Sequence, residues 1–275
     1  MSEEKIYRKN DYRQAGVELY EKIHLSTYPI SIKYLKEGDK SIKGITSPSL
    51  TGQKMSICQA FTMSRTFGLS YMITAEDNFC TPSSLGHGWL KLSLEDLIES
   101  QVEQRWHKDV DSERRRFQNL LYNPDDLIND RYMGLACCPL FKTKFIPDTI
   151  LIYGDGVQMT HIIHALCYEY IPEYVPNSTF DGYGESCTKG GLIPYLTQRP
   201  QVILPGSGGR ALAGIQTHEL GIGIPAKLIF YIVENLFKSG GILNLGFPAK
   251  RVLALNLTEK FTPGFDLLKK KVEKN

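Results

Sequence analysis

Residues 201–220, QVILPGSGGRALAGIQTHEL, place a strand, a glycine turn and a helix in immediate succession, which commits this part of the chain to strand and helix packed together. Val202, Ile203 and Leu204 form a short apolar run that Pro205 stops, and Gly206, Gly208 and Gly209 allow backbone angles closed to other residues. The helix is expected to open near Arg210 and to run on toward His218 and Glu219. Its first free N–H groups suit an anion beyond the strand tip. Gly206, Ser207, Gly208, Gly209 and Arg210 are therefore candidate binding residues for an anionic cofactor or substrate, with Arg210 as a bidentate clamp. The turn matches neither GxGxxG nor GxxxxGK[ST], so no nucleotide is implied.

A chain of 275 residues can bury a substantial core. With 32 Lys plus Arg against 30 Asp plus Glu, there is no global field to steer nucleic acid or an anionic membrane. No run is long enough to span a bilayer, and the first residues, MSEEKIYRKNDYR, lack the apolar segment of a secretory signal. A cytoplasmic protein is the expectation. The six cysteines (58, 80, 137, 138, 167 and 187) are too irregularly spaced for a disulfide framework and are expected reduced.

Along the chain, Tyr12, Ala15, Leu19 and Ile23 mark an amphipathic first helix, and residues 30–35 alternate as a strand with Ile30, Ile32 and Tyr34 on one face. A helix from Ser56 to about Phe67 carries Cys58 in its first turn, where the helix dipole lowers a thiol pKa. A strand through Tyr71 and Ile73 precedes the turn at Cys80. Residues 93–122 read as one long charged helix whose Arg114, Arg115 and Arg116 form a solvated face. A strand at Ile150–Gly154 and an apolar helix over 156–171 follow. That helix carries His161, His164 and Cys167 on one face, better explained as core than as a metal row. Residues 172–191 read as a loop, and Cys137-Cys138 as one buried and one partly exposed thiol. The two halves echo each other: strand, helix, then Cys80-Thr81-x-x-x-Leu85 or Cys187-Thr188-x-x-x-Leu192.

These patterns predict an α/β fold of two related β-α-β halves with pseudo-twofold symmetry around a shared cleft. One duplicated domain would span 1–240, with halves at about 14–92 and 145–240 joined by the 93–122 helix. Residues 241–275 would add a strand-like run at 251–257 and a basic tail. Across the axis Cys80 and Cys187 would approach each other, with Cys58 beside the first.

The blocks PISIKYL, CQAF, CTPSSLG, PDTILIYGDGVQMTHIIHAL, ESC and LPGSGGRALAGIQTHELGIGIP, in this order over roughly residues 14–240, resemble the family called domain of unknown function 169. That family is common in archaea and anaerobic bacteria and has no settled activity. Its pattern often has a cysteine where this chain has Gly206, so the resemblance leaves three matched cysteines, Cys58, Cys80 and Cys187. Thiolates suit iron–sulfur and zinc chemistry, and these three form a candidate metal set, with a [4Fe-4S] cluster as the candidate cofactor. No compact ferredoxin or zinc-ribbon spacing is present, so the ligands would have to be assembled from distant segments. Glu185 and His218 are the candidate proton-transfer residues. The expected function is an iron–sulfur or other metal protein of anaerobic metabolism, a lyase or redox enzyme, acting on or carrying an anionic small molecule and able to form a homodimer. The alternative is a metal-free small-molecule-binding protein that uses the 205–210 turn.

Overall fold

The computed structural model describes residues 6–36, 38–39, 41–90, 93–103, 105–119, 132–178, 180, 184–238 and 270–271. The run at 251–257 and nearly all of the basic tail lie outside the described residues. A mixed α/β fold is built on one seven-stranded sheet. Its strands are β1 (Ile30–Lys36), β2 (Tyr71–Thr74), β3 (Tyr132–Pro139), β4 (Thr149–Gly154), β5 (Asn177–Ser178), β6 (Gln201–Ile203) and β7 (Leu220–Pro225), in the order β2-β3-β1-β4-β7-β6-β5. All neighbours are antiparallel except the short β5–β6 pair.

The apolar pattern of β4 explains its central place. All six of its residues are buried, because the sheet is covered on both faces and each alternate set of side chains meets a core. Ile150 and Ile152 point into one core with α1 (Lys9–Lys22), α6 (Gly156–Leu166) and α9 (Leu228–Asn235). Leu151 and Tyr153 point into the other, with α2 (Ile57–Phe67) and a π-helix at Glu185–Leu192. The alternation of β1 holds: Ile30, Ile32 and Tyr34 share the second core. Each such fully buried aliphatic side chain contributes roughly 1.5–3 kcal/mol, so the two cores dominate the stability. β1 and β4 meet through only three residue pairs, Ile30↔Leu151, Ser31↔Ile150 and Ile32↔Thr149.

Four expectations change. β3 supplies the central partner of β1 and β2, so each strand–helix–strand unit has a third strand between its two parallel strands. Both Cys137 and Cys138 lie on β3 and are fully buried, because the strand is covered on both sides. The long charged helix is two helices, α4 (Leu94–Val102) and α5 (Val110–Gln118), since the chain turns at Arg105 with φ 56° and Asp109 caps a new start. Arg116 is not part of a solvated face: it is buried against Glu113, with Nε 2.8 Å from Oε2.

Candidate functional site

The sequence ESCTKGGL looks like a loop, yet residues 185–192 form a π-helix in which every residue is buried. π-Helices are rare and concentrate at functional sites. Gly184 opens it at φ 58°, and a Cβ there would stand 2.9 Å from Thr188 Oγ1. The Gly184 carbonyl accepts from both Thr188 and Lys189 N–H at 2.9 Å. Gly190 and Gly191 let the helix lie directly on the sheet. A Cβ on Gly223 of β7 would come within 1.8 Å of the Gly190 carbonyl oxygen.

This contact fixes Cys187 over the sheet, where two other cysteines meet it. Cys58 sits at the second position of α2, behind a reciprocal cap in which Gln59 N–H reaches Ser56 Oγ (3.2 Å) and Ser56 N–H reaches Gln59 Oε1 (2.9 Å). Cys80 caps α3 (Thr81–Gly86), and its loop is held by Asn78, whose Oδ1 accepts from Cys80 N–H and whose amide donates to the Cys80 carbonyl. Cys58, Cys80 and Cys187 line one cavity of about 140 Å³ together with Glu185, Gly206, Gly208, Gly209 and Trp106. Three segments remote in sequence thus bring the predicted cysteines to one place.

The electrostatics of the thiols invert the helix-dipole expectation. Cys58 is pushed well up, because its thiol is hydrogen-bonded to Cys187 and desolvated. Cys187 is the acidic member. The Cys58 thiol, the Thr188 hydroxyl and main-chain N–H groups stabilise its thiolate more than burial opposes it. Burial raises Cys80. Tyr34 and Tyr153, also buried beside the pair, are both shifted upward by burial and the neighbouring thiols.

The other predicted residues divide. Glu185 lines the cavity and holds Lys189 at 2.9 Å, a buried ion pair whose Glu-x-x-x-Lys spacing could have been read as an i,i+4 contact. His218 is exposed in the turn before β7 and lines a different cavity, so it is not partnered with Glu185. The π-helix runs on into α7 (Ile193–Thr197), and the helix after the glycine turn is short: α8 is Ser207–Ala213, and Gly214 at φ 64° ends it before His218. Ser207 is exposed and lines neither cavity. Arg210 is a staple here and not an open anion clamp. Its guanidinium donates to three main-chain carbonyls, those of Pro205 (2.9 Å), Gln216 and Glu219 (3.2 Å). His161, His164 and Cys167 do not form a metal row: Cys167 caps the end of α6, and His161 packs edge-on against Phe237. Among the described residues no three His, Cys, Asp or Glu side chains are already spaced as ligands of one metal ion. No helix of the described residues is long and apolar enough to cross a membrane.

Sequence reasoning missed a further buried pair, Arg65 with Glu219, joined at both carboxylate oxygens. The partners are 154 positions apart, and nothing local announces them.

An uncharacterized protein of Methanocaldococcus jannaschii is 20% identical over 229 residues, covering 82% of this chain and 94% of that protein. No solved structure matches. The family model of domain of unknown function 169, described as uncharacterised ArCR, matches residues 18–235. A match of that length, over the sheet, both cores and the cysteine cavity, places the chain in the domain of unknown function 169 family.

Proposed function

We propose that the cavity of Cys58, Cys80 and Cys187 is a thiolate centre for a thiophilic metal, with a [4Fe-4S] cluster as the leading occupant, in a protein that acts on or carries an anionic small molecule. The convergence of three thiols from α2, α3 and the π-helix on one buried cavity carries this reading. The donor chemistry fits: all three are free thiols, and Cys187 is already biased toward the thiolate. The three thiols would have to draw closer together to form one ligand set. Gly206, where the resemblance points to a cysteine, lines the same cavity and leaves a position open. When bound, such a group supplies Lewis acidity or electron transfer. The chain's own part is to favour the Cys187 thiolate through the Cys58 thiol, Thr188 and main-chain amides, and to anchor Glu185, through Lys189, at the cavity wall as a proton acceptor.

The strand order supports an origin by duplication. With the two-residue edge strand β5 set aside, the first strand of each half (β1, β4) is central, the next (β2, β6) lies outward, and the last (β3, β7) fits between. The Cys-Thr echo does not follow this symmetry, since Cys80 comes after its half's second strand and Cys187 before.

The test is metal and acid-labile sulfide content of protein purified without oxygen. Cys58→Ala, Cys80→Ala and Cys187→Ala are each expected to lose about tenfold or more of the bound metal, and Cys137→Ala, buried in β3, to retain it. Equal content in all four variants, or a metal-free wild type, would overturn the assignment.

A further inference from the structure

Apart from the cysteine cavity, the surface holds a trough whose two lobes meet at Met55, the first lobe running along α2. The first lobe, about 750 Å³, is lined by Met55, Met63, Phe67, Leu212 and Ala213. Arg65 and Glu219, whose charges cancel in their own pair, also line it, as do the exposed Lys54 and His218. The second lobe, about 600 Å³, shares Met55 as a wall and contains Lys142 and Lys144 but no acidic residue. Among the described residues neither lysine forms an ion pair. Their placement is specific. Lys142 Nζ lies 3.1 Å from where a Cβ on Gly68 would stand, and Lys144 Nζ 3.0 Å from the same point on Gly44. Both glycines adopt left-handed backbone, φ +70° and +78°. Lys144 Nζ donates one hydrogen bond to the Gly44 carbonyl and Lys142 Nζ lies 5.5 Å from the Phe141 ring, so each ammonium keeps donors for an anion, unlike the Arg210 guanidinium, which is spent on three carbonyls.

Two ammonium groups without a counter-charge favour an anion. An adjoining apolar lobe with Phe67 and Leu212 left 66% and 59% exposed favours an apolar body. Each lobe falls in the range of about 300–1,000 Å³ typical of small-molecule sites, so a bare phosphate or acetate would leave the first lobe empty. We propose that this trough binds an acidic amphiphile, its anionic head on Lys142 and Lys144 and its apolar chain over Met55, Met63 and Phe67 toward Leu212. The shared chemistry is one carboxylate or phosphate on a hydrocarbon. The site is separate from the thiol centre, although Leu212 lines both cavities and so lies between them.

Titration calorimetry of the full chain tests this, with decanoate, decyl phosphate and decanol each below its micellar concentration, and with acetate and inorganic phosphate. Decanoate or decyl phosphate is expected to bind, and whichever is tighter names the head group. Decanol should bind about tenfold more weakly or worse, as should the preferred acid to the Lys142→Ala/Lys144→Ala double variant. Phe67→Gln should weaken the acid while leaving acetate and phosphate without measurable binding. Both lysines lie at the protein surface or half-buried, so the double variant should keep its melting temperature. No binding of either acid, equal binding of decanol, or undiminished binding by the double variant overturns the proposal. Metal content plays no part in these readouts, so they stand or fall independently of the thiol centre.

Discussion

Gly223→Ala is expected to leave little or no folded protein. The added methyl would stand 1.8 Å from the Gly190 carbonyl oxygen and 2.7 Å from its carbon, both main-chain atoms that no rotamer change can move away. Relief requires lifting the whole π-helix off β7, and with it Cys187 and Leu192 from the second core. Overpacking usually costs about 1–3 kcal/mol, and a clash with immobile backbone should cost on the order of 4 kcal/mol or more. That is a large part of the roughly 5–15 kcal/mol by which a domain is stable. Gly208→Ala is the matched control: its Cβ meets nothing within 4 Å, so it should change stability by no more than about 1 kcal/mol, in the favourable direction, within α8. Soluble yield and denaturant unfolding compare the two. A Gly223→Ala protein with wild-type stability would mean that the π-helix does not rest on β7 as described.

Glu219→Ala is expected to cost about 3–5 kcal/mol, because it leaves the guanidinium of Arg65, 2% exposed, buried beside Tyr153 without its carboxylate. Replacing both partners, Arg65→Met with Glu219→Leu, should recover most of that loss. The desolvation cost of both charges then disappears together. The pair also sets an acid sensitivity. Burial pushes the Glu219 carboxyl up, but the Arg65 and Gln216 hydrogen bonds outweigh it and hold the group below its ordinary value of 4.5. A depressed folded-state pKa stabilises above the unfolded value and is lost as pH falls through the folded one. Wild type should therefore lose stability below about pH 4.5, and the double replacement should show a flatter profile there. Unfolding midpoints at pH 7 and across pH 3–5 measure both effects. A single replacement costing under about 1 kcal/mol would show the pair to be solvated and of surface strength.

Much of the fold was readable where sequence pattern and local chemistry agree. In β1 the period-two alternation survives because one face enters the second core, and in α2 the Ser56–Gln59 cap and the Gly68 stop lie within a few residues of what they control. β3 was not readable. YMGLACCP is buried from Gly134 onward on both faces, so it has no alternation to detect, and its cysteines act as small core residues. The π-helix escaped for the opposite reason: Gly, Ser, Thr and Lys are loop-like residues, and only the sheet beneath them makes a helix of them. The three cysteines were legible as a set through the resemblance, and the internal echo already suggested that Cys80 and Cys187 approach each other with Cys58 beside the first; which thiol is the acidic one required the tertiary structure. Cys58 shows the limit of local reasoning. Its place at a helix start predicts an acidic thiol, but the partner thiol, 129 positions on, reverses the shift.

The seating of the π-helix has a consequence for how this chain can change its length. A surface connection can gain residues at small cost, since closure entropy grows only slowly with loop size. Within 185–192 no such freedom exists. An i→i+5 turn that lost one residue would tighten toward i→i+4, rotating Cys187 off the cavity and moving Gly190 away from Gly223. Insertions and deletions among related chains should therefore gather in the outer connections and spare these eight positions, whatever substitutions the outer surface tolerates.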